Sequence, residues 1–504
     1  MGFWVNFVFL KVFQWRQILI FARKKTAMKH NLIARQQECD ALRACVESDE
    51  SEFVIVCGRR RIGKTFLVEQ FFESRYDFKY VGGHNMRTRD QLKNFAKALK
   101  RYAGGEQYEF KDWFEAFDAL EEYLDTLPRD RKRVIFIDEM PWMDTSRSNF
   151  VSALENFWNG WACGEYNILL VATGSATSWM TDKLIRNKGG LHNRIRTRIY
   201  LNRFTLKETE EYLRSLGSSW DRFQILQSYM LTGGVPYYIS LFDTKKTLAE
   251  NIDMLCFSPN GALKDEFDEL FSAIFQVAES YQDVVRVLAG NRGGLTRKEI
   301  SKKTKVDGGT LTRVLKNLER CDFIGRTAQF GNKAKDVVYR LTDYYLLFYF
   351  RFLEKNLSKD NDWWIHHLNS QEISIWMGLT FELICMQHHR QIKRVLGISG
   401  MATSVYTWRC VGDPEKGFPG TQIDMIIERA DRMIHLCEMK FSKNTYDITN
   451  DYEKKLRERM WVFDTATGNR IPVVFTFVTT YGLGAGKHNS LVHSEVTMDD
   501  LFGS

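Results

Sequence analysis

The sequence predicts an α/β protein of several domains, built around a parallel sheet. Three observations lead there. Between Leu32 and about Arg198, short apolar runs alternate with helical patterns, the rhythm of strands buried on both faces and joined by helices. Helical periodicity without strands then occupies 200–275, read as a helical lid. Residues 345–504 end in a second alternation, with strand patterns near 422–428, 433–440 and 472–479. A chain of 504 residues is too long for one core, so three or four domains are expected.

Composition narrows the class. Hydrophobic residues make up 44% and charged residues 27%, the balance of a globular protein, and seven prolines leave little room for long disordered linkers. Nine scattered cysteines without a CxxC pair predict neither a disulfide framework nor a zinc site, and fit a reducing cytosol. The net charge of +8 is localised: residues 1–30 carry six Lys or Arg and no acid, and residues 281–340 carry fourteen basic against six acidic residues. Gly2–Phe21 is apolar, but Asn6, Lys11, Gln14, Arg16 and Gln17 break it, and no small-residue cleavage site follows. Residues 1–30 are read as an extension with a wrongly assigned start, Met28 being the true one; an amphipathic membrane-surface anchor is the alternative.

In chain order, Phe53–Cys57, Val134–Ile137 and Ile168–Ala172 read as buried strands. The first runs into Gly58-Arg-Arg-Arg-Ile-Gly-Lys-Thr65 and then an apolar helix, Phe66–Phe72. That is G-x-x-x-x-G-K-T in its strand–loop–helix context. Glycine lets the backbone turn its N–H groups toward phosphate, and the helix start adds positive dipole. Gly58, Arg59, Arg60, Arg61, Ile62, Gly63, Lys64 and Thr65 are expected to line a bound nucleotide, with Lys64 on the β- and γ-phosphates and Thr65 on Mg²⁺. The second strand ends in Asp138 and Glu139. Asp138 is expected to hold the Mg²⁺ shell and Glu139 to orient the attacking water; a turn or capping acid is the plainer alternative. The third strand ends at Thr173-Gly-Ser175, where a hydroxyl, assigned to Thr173, is expected to sense the γ-phosphate or the water, unless it only makes a turn. The cofactors expected are ATP and Mg²⁺.

Six boxes, Ile33–Glu38, Gly58–Thr65, Ile137–Glu139, Thr173–Ser175, Leu191–Arg194 and Thr232–Pro236, resemble those of AAA+/STAND-like ATPases of the archaeal type across about residues 31–275. The resemblance implies that Arg35 and Glu38 lie in the opening box, that Arg194 is an arginine finger, and that Gly234 and Pro236 belong to the lid's nucleotide sensor. Ala34 stands where many members carry Gly. For Arg194 a solvated surface charge remains the alternative.

Residues 281–340 have helix–helix–helix–hairpin spacing. Leu295–Lys303 reads as one helix, Val306–Thr310 as a turn, and Leu311–Leu318 as the next helix, with Leu311, Val314, Leu315 and Leu318 on one stripe. Phe323–Gly325 and Val337–Leu341 read as the hairpin. This is a winged helix-turn-helix pattern, in which Thr312, Arg313 and Lys316 face outward and are expected to meet double-stranded DNA. A protein contact or a relay of nucleotide state is the alternative.

The last strands carry Asp424, then Glu438 and Lys440 two apart, and the helix expected over Trp376–Arg390 carries Glu382. Residues two apart on a strand share a face, so two acids and a lysine can converge on a divalent ion at a phosphodiester. The array resembles the PD-(D/E)xK nuclease signature in a restriction-endonuclease-like α/β domain, the "domain of unknown function 234". That resemblance implies Asp424 and Glu438 as metal ligands, Lys440 as catalytic and Glu382 as supporting, with Tyr452 a weaker candidate. The expected segments are 1–30, 31–200 (ATPase core), 201–275 (lid), 276–345 (winged helix) and 346–504 (nuclease-like). The function expected is ATP hydrolysis coupled to DNA binding and metal-dependent cleavage. The alternative is a nucleotide-switched regulator of DNA or protein whose nuclease-like domain does not cut. The partners expected, besides ATP and DNA, are a second copy of the chain or another protein, in the cytoplasm and away from membranes.

Overall fold

The computed structural model describes residues 32–503, except 106–107, 176, 187–188, 192, 276–277, 332–336, 357–359, 413–416 and 418. The reading of residues 1–30, with its Met28 start, lies outside the described residues.

The first sheet is wholly parallel. Its strands β1 (Glu52–Cys57), β2 (Phe78–Val81), β3 (Arg133–Asp138), β4 (Ile168–Gly174) and β5 (Thr197–Tyr200) lie in the order β2-β3-β4-β1-β5. Alternate residues of β1 feed two cores: Phe53 and Ile55 pack with Trp113, Phe117 and Trp158 on one face, and Val54 and Val56 with Leu42, Leu67 and Ile199 on the other. The continuous apolar runs follow from this two-sided burial. β1, β3 and β4 end side by side, so their C-terminal ends bring the phosphate loop, Asp138 and Thr173 together.

Helices fill 206–274, and their starts are chemically marked. Thr205 and Asp221 each close a capping box, with Glu208 and Gln224. Next comes a three-stranded antiparallel sheet, ordered β6 (Leu295–Thr296), β8 (Val337–Leu341) and β7 (Ile324–Ala328). The helix expected from Leu295 starts two residues later, at Arg297. Thr296 caps that helix through Glu299, and Leu295 pairs with Tyr339 as a strand. The following helix, Gly308–Arg320, takes in part of the expected turn and buries Leu311, Val314, Leu315 and Leu318.

The second large sheet is mixed, ordered β13 (Val492–Thr497), β12 (Val473–Thr479), β11 (Met433–Lys440), β10 (Thr421–Arg429) and β9 (Thr403–Cys410). Helix Gln371–Gln387 covers one face and Asn450–Thr467 the other. The former starts five residues earlier than expected, capped by Ser370, and stops at Gln387. One apolar cluster runs unbroken from Phe204 through Leu311, Tyr344 and Phe381 to Phe502. No helix among the described residues is long and apolar enough to cross a membrane.

Candidate functional site

The loop after β1 needs left-handed backbone. Gly58 sits at φ 151°, where a Cβ would fall 2.5 Å from Leu201 O, and Gly63 sits at φ 90° before the helix Lys64–Phe71. Lys64 is buried, and its Nζ donates to Gly58 O at 3.2 Å, Arg59 O at 3.1 Å and Ser175 Oγ at 3.0 Å. Burial lowers its pKa, opposed by Glu139 and Asp138. Thr65 Oγ1 lies 3.0 Å from both Asp138 oxygens. Hydroxyl and carboxylate oxygens so placed suit Mg²⁺. Burial raises the Asp138 carboxyl, and hydrogen bonds from Thr173 and Thr65 work against that rise.

Thr173 does not take the role expected of it. It is fully buried, donates to Asp138 and accepts from the Glu139 amide at 3.1 Å. Ser175 is the hydroxyl that meets the reactive groups: besides Lys64 it donates to Glu139 Oε1 at 2.6 Å, and its N–H donates to Glu139 Oε2 at 3.0 Å. The loop opens into a cavity of about 840 Å³ lined by Arg35, Arg60, Arg61, Thr65, Tyr212 and Tyr237 among others, ample for a nucleotide.

Residues 32–242 match a family described as an ATPase domain predominantly from Archaea. This stretch is similar to ATPase domains of the archaeal type. An uncharacterized protein of Methanocaldococcus jannaschii, MJECL04, is 25% identical over 367 residues, covering 72% of this chain and 78% of that one. Among solved structures, the Walker-type ATPase PABY2304 of Pyrococcus abyssi is similar at a TM-score of 0.47 and 17% identity, over 64% of this chain and 97% of its own. Aeropyrum pernix ORC2, solved with ADPNP and ADP, is similar at a TM-score of 0.41 and 15% identity, over 72% of this chain and 98% of its own.

Within the ATPase domain, Arg35 pairs with Glu38 at 3.5 Å, donates to Asn202 O at 2.8 Å and lines the nucleotide cavity. Pro236 lines it too, and the next residue's N–H reaches Arg61 O at 3.4 Å. Two loop arginines turn their side chains away from the phosphate position. Arg59 forms a buried ion pair with Asp343, and Arg61 pairs with Glu266 at 2.9 Å and Glu269 at 3.2 Å. Arg59 is absent from the cavity lining, whereas Arg61 still borders it. Arg194 is exposed and does not line the cavity.

Helix Gly308–Arg320 leans on the ATPase domain. Lys316 Nζ lies 3.3 Å from Asp182, Arg320 lies 2.9 Å from it, and Ser178 Oγ donates to Asn317 Oδ1 at 2.7 Å. Thr312 is exposed and returns its hydroxyl to Gly308 O at 3.1 Å, while Arg313 stands exposed.

The C-terminal acids gather at the ends of β10 and β11. Met425 pairs with Cys437, and Asp424 and Glu438 lie one step beyond. A register shift against β9 between Ile423 and Ile426 spans Asp424, which lines a cavity with Glu382. Glu438 is held by helix Asn450–Thr467: Tyr452 Oη donates to Oε2 at 2.7 Å, Arg459 ion-pairs with Oε1, and Lys440 stands 3.5 Å from Oε2. Burial, with Asp424 beside it, pushes the Glu382 carboxyl up to about 7. Burial lowers the Lys440 pKa, opposed by Glu382 and Asp424. Among the described residues no three Asp, Glu, His or Cys side chains form a metal-holding group. Sequence reasoning missed Arg459, although it lies two helical turns from Tyr452 and so on the same face.

Proposed function

We propose that the chain is an ATP-driven switch whose nucleotide state sets whether helix Gly308–Arg320 can engage DNA. The observation that carries this is a pair of contact sets on neighbouring residues of one short stretch. Ser175 bonds Lys64 and Glu139, and within the next seven residues Ser178 and Asp182 bind that helix. ATP would supply the phosphate charge for Lys64 to pair with, and Mg²⁺ the cation that Thr65 and Asp138 would hold. Lys64 would then leave the Ser175 hydroxyl for phosphate, and rearrangement of the Ser175–Glu139 contacts would shift the segment that carries Ser178 and Asp182. Release of Asp182 returns Lys316 and Arg320 to the basic surface that Arg313 already occupies. The +8 carried by 281–340 supplies the attraction to phosphate.

Duplex binding measured with and without nucleotide tests the reading. Asp182→Asn is expected to tighten binding several-fold and to blunt its dependence on ATP. Arg313→Gln is expected to weaken binding and flatten its salt slope by about one phosphate contact. Unaltered nucleotide dependence in Asp182→Asn overturns the switch.

For the C-terminal acids, binding without cleavage is the better reading, because Arg459, Tyr452 and Lys440 already neutralise Glu438. That donor set does not offer a divalent ion two open carboxylates. Plasmid nicking that needs Mg²⁺ and disappears in Asp424→Ala would restore the nuclease reading.

A further inference from the structure

Outside the nucleotide site, a cavity of about 380 Å³ opens between the turn 288–292, β8 and helix Gln371–Gln387. Its lining joins elements far apart in the chain, and two of its buried donors have no acceptor. Arg340 is 8% exposed; its Nε has no hydrogen-bond partner, and its Nη1 meets only the Met386 sulfur at 3.4 Å. Trp376 is 4% exposed, and its Nε1 likewise lacks an acceptor. Unsatisfied buried donors are rare in folded proteins, and a buried guanidinium without a hydrogen-bonded anion is costly. Two other cations of the lining already have partners: Arg286 bonds Glu354 at 2.9 Å and Arg351 bonds Glu372 at 2.9 Å. Arg292 stands exposed at the mouth. Against these donors, Glu382 and Asp424 present carboxylates.

A ligand that satisfies this wall carries both an anion and hydrogen-bond donors, since the carboxylates lie close to the cations. The volume sits at the small end of ligand pockets, which rules out a duplex. We propose that the cavity binds a phosphate monoester on a sugar, with the phosphate on Arg340 and Arg292 and the sugar hydroxyls donating to Asp424 and Glu382. A guanidinium fork matches a phosphate's oxygens, and a carboxylate is a natural acceptor for ribose hydroxyls. Free nucleotides and the 5′-phosphorylated end of a single strand share this chemistry. The site takes Glu382 and Asp424 from the cluster read above as binding without cleaving.

The test is calorimetric titration of the full chain carrying Lys64→Ala, which silences the ATPase site, in EDTA, so that metal-dependent cleavage plays no part. The probes are ribose 5-phosphate, AMP, a 5′-phosphorylated pentanucleotide, and unphosphorylated ribose and adenosine. Saturable binding is expected for at least one phosphorylated probe and for neither unphosphorylated one. Binding of AMP or ribose 5-phosphate marks a free ligand, and binding of the pentanucleotide alone marks a strand end. Arg340→Gln and Arg292→Gln are each expected to weaken it tenfold or more. If Arg340→Gln fails to fold, Arg292→Gln, at the mouth, decides alone. No binding of any phosphorylated probe, or unchanged affinity in Arg292→Gln, overturns the assignment.

Discussion

At the scale of single residues, the phosphate loop makes the sharpest demands. Lys64 is the buried loop cation that lines the nucleotide cavity, so Lys64→Ala is expected to abolish ATP binding in a fluorescent-nucleotide titration. Glu139→Gln is expected to keep binding and to slow hydrolysis by about 10²–10⁴-fold, the range of a positioned general base. The loop, Asp138 and Glu139 were legible because glycine spacing and a terminal acid pair are local signals. The respective duties of Thr173 and Ser175 were not. Register sets Ile137 beside Ala172, and the next pair along is Asp138 and Thr173. Strand register is not written in one strand's residues, and that pairing assigns Thr173 to Asp138. The side-chain partner of Arg59 was hidden for a similar reason, since Asp343 lies 284 positions away. Asp343→Ala leaves that guanidinium buried without an anion and is expected to cost about 3–5 kcal/mol by urea unfolding. The pair Arg59→Met with Asp343→Leu is expected to cost less than Asp343→Ala alone, because it removes both charges.

At the scale of elements, apolar stripes told the truth about faces and less about ends. Helix Gly308–Arg320 buries the stripe expected of it, but on its polar side Lys316 and Arg320 meet Asp182 while Thr312 and Arg313 lie open. No periodicity reports which surface a polar face will lean on. The join between the lid and helix Gln371–Gln387 was equally hidden. There buried His388 accepts the Leu206 amide through Nε2 at 3.2 Å and donates from Nδ1 to Ile384 O at 2.9 Å. Burial lowers its pKa to about 4. Unfolded histidine titrates near 6.5, so below that pH the unfolded chain takes a proton that the folded chain refuses. Stability therefore falls as pH drops from 6.5 toward 4, by roughly 3 kcal/mol from this group. Denaturant melts at pH 7 and 4.5 are expected to show a smaller drop in His388→Gln than in the unaltered chain. His435, also lowered to about 4 by burial, contributes equally to both and cancels in the difference.

At the scale of the whole molecule, the sequence announced several α/β and helical parts but not their fusion. Phe223 stacks on Phe441 with centroids 5.4 Å apart, and Arg222 pairs with Asp499 at 3.1 Å, so the lid is bolted to the C-terminal sheet. Such contacts join residues hundreds of positions apart, beyond the reach of any local pattern. They also govern movement. Elements that share one close-packed interior resist sliding past each other and turn together. The helices flanking the nucleotide cavity and the sheet beyond them therefore form one packed unit. Any tilt of the lid is therefore carried through that shared core to β13 and to the cavity beside Arg340.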